Sequence, residues 1–365
     1  MENLTIVSAD NDSFICHLRL RALFEYVLLQ NLSTEVFMKR LLFILILSSI
    51  LMSLPAASFA QEADYPSYRV TGFMQQQFTW EHDSDNPAAF SIHRARVGLT
   101  GGLTDMISVN IVAGALEQPP DRSPRLVNGF VDFDVHPMLT VRTGQFLVPF
   151  GLEGPEPIIL NPAIERTETI RRLNVHTMFR DIGIQAMGSH ENVSYAIALV
   201  NGTGANNPEQ IDPKDLLGRF GYQASSELNL GLSFHIGQFP AGNDERDRFR
   251  LGVDATYRAE SLLLRGEYIL RKDERIATND LDQAGGYLLA GYDLTDELQA
   301  IGRFEMLHPN SDADFSDVGF TSITAGLNYY FQGHTRVSVN YEIRDDRRTQ
   351  HDPGNLLTVQ MQVAL

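Results

Sequence analysis

The parity of its connections constrains this chain more than any other feature. From Tyr68 onward the sequence reads as sixteen segments, each of roughly ten residues, whose apolar side chains recur at every second position. Leu228, Leu230, Leu232, Phe234 and Ile236 line one face of such a segment, with Asn229, Gly231, Ser233 and His235 opposite. Leu251, Val253, Ala255 and Tyr257 oppose Arg250, Gly252, Asp254, Thr256 and Arg258. Val337, Val339, Tyr341 and Ile343 oppose Arg336, Ser338, Asn340, Glu342 and Arg344. Between segments, short and long connections take turns down the chain. Tight turns fall near Gly101–Asp105, His136–Met138, Ser189–Asn192, Ser225–Glu227, Glu260, Leu294–Glu297 and Gln332–His334. Longer loops fall at Glu81–Ala89, Glu117–Pro124, Pro149–Arg180, Asn201–Pro213, Phe239–Asp247, Lys272–Gln283, His308–Val318 and Asp345–Gly354, and hold most of the Pro, Asp and Asn.

A soluble sandwich also alternates apolar and polar residues, but it has no reason to sort its loops by parity. A membrane-spanning barrel does, because its two rims face different compartments. The fold class is therefore all-β: a transmembrane antiparallel β-barrel of 16 strands, with short periplasmic turns and long extracellular loops. Closure follows from the solvent. Lipid offers backbone N–H and C=O groups no water, so a spanning sheet must have no edge. Sixteen strands enclose more space than side chains fill, leaving an aqueous channel. The last strand ends on Leu365 in register with its outward face of Leu357, Val359, Met361 and Val363, which suits outer-membrane assembly.

Residues 38–60 read as a secretory signal peptide: Lys39 and Arg40, an apolar run from Leu41 to Leu54, and small residues at Ser58 and Ala60. Residues 1–37 read as an upstream mis-start or an extension, and residues 61–365 as the outer-membrane β-barrel. The single cysteine, Cys16, lies outside residues 61–365, so the barrel has no disulfide, thiol chemistry or cysteine metal site. A net charge of −17 argues against nucleic acid as a partner. Only Lys214 and Lys272 are lysines after the signal; the remaining basic residues are arginines.

The third long loop, Pro149–Arg180, carries Pro149, Pro155, Pro157 and Pro162, then Arg166, Arg171, Arg172 and Arg180. A segment of this length without a strand is uncommon in a compact domain unless it has a task. It is expected to fold into the lumen and narrow the pore. On the second strand Val97 and Leu99 set the lipid face, which turns Arg94 and Arg96 to the lumen and leaves His93 on the lipid parity. On the fourth strand Asp132 and Asp134 share the lumen parity against Val131, Phe133 and Val135. Two readings stand side by side. Arg94, Arg96, Arg142 and the loop arginines form a track that lowers the barrier for anions. Alternatively they pair with Asp132, Asp134, Glu165, Glu168 and their neighbours Glu153 and Glu156, and pin the loop to the wall.

Residues 90–188 resemble the phosphate-selective porin O and P family, in FSIHRARVGLTGGLTD, VNGFVDFDVHPMLTVRTGQFLVPFGLE and RDIGIQAMG taken in order, and the resemblance extends loosely to Leu365. It implies a trimeric barrel with its third loop folded inward and an arginine-lined route for anions. The clustered lysines of that family have no counterpart here.

The expected function is an outer-membrane porin of a Gram-negative bacterium, giving passive diffusion of small hydrophilic solutes with a preference for anions such as phosphate or other oxyanions. The alternative is a structural or adhesive barrel with a plugged lumen. An enzyme is not expected: the histidines are dispersed, with no HExxH or GxSxG motif. No cofactor and no metal are expected; Asp312 with Asp314 and Asp280 with Asp282 read as solvated loop residues in preference to calcium ligands. The expected partners are solute, outer-membrane lipid and two further copies of the chain.

Overall fold

A computed structural model describes residues 65–82, 88–115, 123–174, 176–209, 214–241, 244–274, 281–348 and 354–365. Residues 1–37 and 38–60, read above as an extension and a signal peptide, lie outside the described residues. The described chain forms β1 (Ser67–Glu81), β2 (Ala88–Gly102), β3 (Ile107–Ala115), β4 (Arg125–His136), β5 (Leu139–Leu147), β6 (Arg180–His190), β7 (Val193–Val200) and β8 (Asp215–Gln223). It continues with β9 (Leu228–Ala241), β10 (Asp244–Ala259), β11 (Leu262–Asp273), β12 (Leu281–Asp293), β13 (Leu298–His308), β14 (Phe320–Gln332), β15 (Thr335–Asp346) and β16 (Leu356–Ala364). Each strand pairs antiparallel with its sequence neighbours, and β16 returns to β1, giving a closed sixteen-stranded barrel. At the seam Phe73 pairs with Ala364 and Phe78 with Val359. Inside the seam the amides form a ladder: Gln75 donates to Gln362 at 2.8 Å and Gln77 to Gln360 at 2.9 Å.

The two faces obey the solvent on each side. Leu232, Val253, Leu264, Leu288, Phe304 and Ile323 point outward and are exposed in the isolated chain. Their lumen-side neighbours are polar and buried, among them Ser233, Arg265, Glu267, Arg303 and Ser322. A lipid-facing arginine costs roughly 2–4 kcal/mol at the bilayer midplane, which holds every strand to one register. Tyr222, Tyr257, Tyr292 and Tyr329 sit outward at the short-turn ends of β8, β10, β12 and β14. This is the aromatic girdle that marks a membrane interface.

His93 owes its irregular parity to a β-bulge. Gln75 pairs with Arg94 and Gln76 with Ile92, so His93 is the extra residue. A bulge re-aims the side chain it carries. The imidazole turns inward, and its Nε2 lies 3.0 Å from Glu165 Oε1.

The segment between β5 and β6 enters the barrel. Val148, Phe150, Ile170 and Leu173 are buried against Leu217, Ile269 and Leu307 of the lumen wall. The sequence marked this segment as strand-free, and its described residues form no strand; its α-helix, α1 (Glu168–Leu173), starts at Thr167, whose hydroxyl accepts from the Ile170 N–H at 3.3 Å. The chain leaves through Met178 and Phe179, at φ 57° and 59°. Left-handed backbone costs an ordinary residue roughly 1–2 kcal/mol. Here it is held by the Val148 N–H donating to Phe179 O at 3.0 Å and Arg180 Nη1 donating to Met178 O at 2.7 Å.

Candidate functional site

The inward loop is seated on one side of the barrel by charged wall residues reaching its backbone. Glu267 on β11 accepts from the N–H groups of Leu152 and Glu153 at 2.8 and 3.3 Å. Glu305 on β13 accepts from the Thr169 N–H at 2.5 Å. Arginines take the carbonyls: Arg303 donates to Glu165 O at 2.8 Å, Arg336 to Asn161 O at 2.6 Å, Arg250 to Leu173 O at 3.2 Å and Arg271 to Arg172 O at 2.7 Å. A loop buried away from water must find partners for its backbone, and the wall supplies them. Within the loop, the buried Glu153 carboxylate accepts from the Thr167 N–H and hydroxyl at 2.9 and 2.8 Å.

Toward β4 to β8 the loop leaves part of the wall uncovered. Between them lies a cavity of about 320 Å³, lined by Pro149, Pro155 and Pro157 from the loop and by Asn128, Phe130, Arg142, Leu147, Gln185, Ala196 and Arg219 from the wall. Arg142 makes a fork with Asp132, its cross-strand partner, with bonds of 2.7 and 2.9 Å, and lies 3.8 Å over the Phe130 ring. Arg219 forks onto Asp254 with bonds of 2.5 and 2.8 Å. Arg142 and Arg219 line the cavity, and Asp132 and Asp254 are not among its lining residues.

The residues singled out in the sequence separate into groups. Arg94 meets Glu165, which also holds Gln77 Nε2 at 3.2 Å. Burial alone would raise the Glu165 carboxyl; Arg94 and His93 outweigh it and hold the group well below the carboxylate range. Arg96 lies 5.2 Å over the Phe73 ring. Arg171 and Arg172 are the exposed arginines of the loop, and both pair with Glu168, at 3.4 and 2.6 Å. Arg348 reaches the same carboxylate at 3.3 Å. Burial would raise Glu168 as well, but the Arg172 hydrogen bond and the three positive charges draw it down.

Arg166 and Arg180 are not among the residues that line the cavity. Arg166 donates to the Glu153 and Glu156 carbonyls and stacks on Phe179. Burial pulls its guanidinium down to about 10, which leaves it charged at neutral pH. Arg180 donates to Asn128 Oδ1 at 2.8 Å. Asp134 lies beside the short turn after β4 and accepts from the Thr140 hydroxyl at 2.6 Å, on a different level from the Glu165 and Glu168 groups. Asp280 lies outside the described residues.

The sequence reading passed over Arg219, although its lumen parity beside Phe220 was visible. It placed Arg250 and Arg336 on the polar face without a role. It gave no role to Arg303, Glu267 or Glu305.

Residues 233–365 match the family model described as phosphate-selective porin O and P. The resemblance read from the first half of the barrel thus holds on the second half, from β9 to the final strand. No curated protein sequence matches the chain. Among solved structures, the barrel is similar to OmpT of Vibrio cholerae in its trimer form (TM-score 0.64, 12% identity, 83% of this chain and 100% of that one). It is also similar to the anion-selective porin from Comamonas acidovorans (TM-score 0.61, 14% identity, 82% and 100%). A third is Salmonella typhi OmpF in complex with daunomycin (TM-score 0.64, 13% identity, 82% and 98%). At these identities the likeness establishes the fold. A closed porin barrel with an outward apolar belt belongs in the outer membrane of a Gram-negative bacterium.

Proposed function

We propose that this barrel is a diffusion channel for small hydrophilic solutes and that it favours anions. The observation that carries the preference is the lining of the cavity beside the inward loop. Its charged lining residues are Arg142 and Arg219, and their carboxylate partners Asp132 and Asp254 are not among the lining. A charge at the narrowest passage outweighs distant charges screened over about 8–10 Å of saline, so the chain's acidic total does not decide the sign. The flat donor fork of arginine suits carboxylates and oxyanions, phosphate among them. Passage is passive and needs no bound cofactor.

Strand length supports assembly as a homotrimer. β7 has eight residues. At about 3.4 Å per residue and a tilt near 40° it rises roughly 21 Å, less than the ~25 Å apolar band of such barrels. β3, β5 and β8, at nine residues each, are nearly as short, as is β16 at the seam, whereas β9 to β15 run from eleven to sixteen. The low wall is where neighbouring copies would shield the barrel from lipid.

The test is the reversal potential of residues 61–365, refolded into a planar bilayer under a KCl gradient. Chloride preference that falls in the double variant Arg142→Gln, Arg219→Gln supports the reading. Cation preference overturns the anion assignment and keeps the channel. Absence of conductance from a closed, heat-modifiable barrel favours the structural or adhesive alternative.

A further inference from the structure

Where the inward loop returns to the wall, two histidines and an aspartate are buried together. His176 belongs to the loop, Asp215 opens β8 and His235 lies on β9; their side chains are 0–1% exposed. One ligand atom from each lies within 4.8 Å of the others. His235 Nε2 stands 2.6 Å from Asp215 Oδ2, and His176 Nε2 stands 4.0 Å from the same oxygen.

The surroundings fix the chemistry of His176. Its Nδ1 lies 2.9 Å from Asp181 Oδ2, a carboxylate that also accepts from the N–H groups of Gly202 and Gly204 at 2.9 and 3.1 Å. A carboxylate can only accept, so Nδ1 carries the proton of that bond and Nε2 is the nitrogen left to meet a metal. That nitrogen is buried and has no hydrogen-bond partner. The group nearest to it across the cluster is the Asp215 carboxylate, another acceptor. A tetrahedral zinc with bonds of roughly 2.0–2.1 Å holds its ligand atoms roughly 3.3 Å apart, so a modest inward shift of His176 would close this pair on one ion.

The outer partners are those of a metal-binding histidine. A carboxylate on the far nitrogen orients the ring and raises its basicity, as Asp181 does here. Asp215 is held by Arg248 Nη2 at 2.5 Å and by the Gln238 N–H at 3.2 Å. Gly237 makes room for it, since a Cβ there would stand 1.9 Å from Asp215 Oδ1. Two imidazoles with one shared carboxylate suit zinc, nickel or copper; calcium and magnesium require more oxygen ligands.

We propose that His176, His235 and Asp215 form a site for a first-row divalent cation of the zinc type, with Asp181 as the positioning residue for His176. His235 would exchange its hydrogen bond to Asp215 for coordination. The ion would clip the returning end of the loop to β8 and β9. This site is separate from the arginines of the cavity and does not depend on the anion reading.

The experiment uses untagged residues 61–365, stripped with a chelator and titrated with Zn²⁺ by calorimetry, and with Co²⁺ by absorption spectroscopy. The expected result is one ion per chain and a Co²⁺ d–d band of nitrogen–oxygen coordination. Asp181→Asn should weaken binding about 10–100-fold, His176→Ala should abolish it, and His190→Ala with His334→Ala should leave it unchanged. No saturable binding, or binding that survives His176→Ala, overturns the proposal. If His176→Ala fails to give a heat-modifiable barrel, the Co²⁺ spectrum of the unaltered chain decides: no band refutes the site.

Discussion

Arg94 and Glu165 join the inward loop to the second strand through a two-bonded fork, Nη1 to Oε1 at 3.0 Å and Nη2 to Oε2 at 2.7 Å. The bulged His93 adds a third nitrogen to the same carboxylate. Replacing Glu165 by Gln removes the negative charge and leaves the shape. Arg94 then faces the lumen without the Glu165 counter-charge, so the reversal potential should move toward chloride. A shift toward cations would contradict this arrangement.

The same pair sets a pH window. Burial works to raise the Glu165 carboxyl, but Arg94 and His93 prevail and hold it low. A carboxylate with a depressed folded pKa contributes stability that is complete above its unfolded value, about 4.3, and is lost as pH falls through the folded one. The difference in selectivity between the unaltered channel and Glu165→Gln should therefore persist at pH 5. It should vanish only under strongly acid conditions. Loss already between pH 7 and 5 would show that Glu165 is not held as the fork implies.

Arg171 and Arg172 distinguish pinning from selectivity. Their side chains are about 60% exposed and pair within α1, and the wall holds the backbone at Arg172 through Arg271. Exposed pairs of this kind contribute roughly 0–1 kcal/mol. The double variant Arg171→Ala, Arg172→Ala should leave the heat-modified unfolding transition almost unmoved while the reversal potential shifts toward cations. Unchanged selectivity with a destabilised barrel would favour pinning.

Arg336 tests the seat of the loop. It is 1% exposed and donates to Asn161 O. Arg336→Met strands that carbonyl, at a cost of about 1–3 kcal/mol to loop docking. Single-channel recordings should show larger current fluctuations, and the strand ladder should resist heat as before. Quiet, unaltered recordings would mean that the neighbouring bonds suffice.

Val253 tests the lipid face. It points outward on β10 opposite Tyr268, midway along the barrel. Val253→Arg should cost roughly 2–4 kcal/mol of folding stability in lipid vesicles, measured by denaturant titration.

Sequence periodicity carried the barrel because lipid on one side and water on the other impose period two on every strand. It carried Arg94 and Asp132 for the same reason. It could not explain His93, because a bulge is an extra residue in a pairing and only the paired strand reveals it. It named Arg336 as lumen-facing but could not give it Asn161, since that contact depends on where the loop comes to rest 175 positions away. His176 was one more dispersed histidine until the loop carried it to Asp215.

The loop is carried mainly by β9 to β16, while the cavity beside it is walled by β4 to β8. The family match begins at Ser233 on β9 and so covers most of that mounting. Arg142 and Arg219 belong to the aperture and take no part in the mounting, so an exchange of charge there could retune the traffic without disturbing the frame.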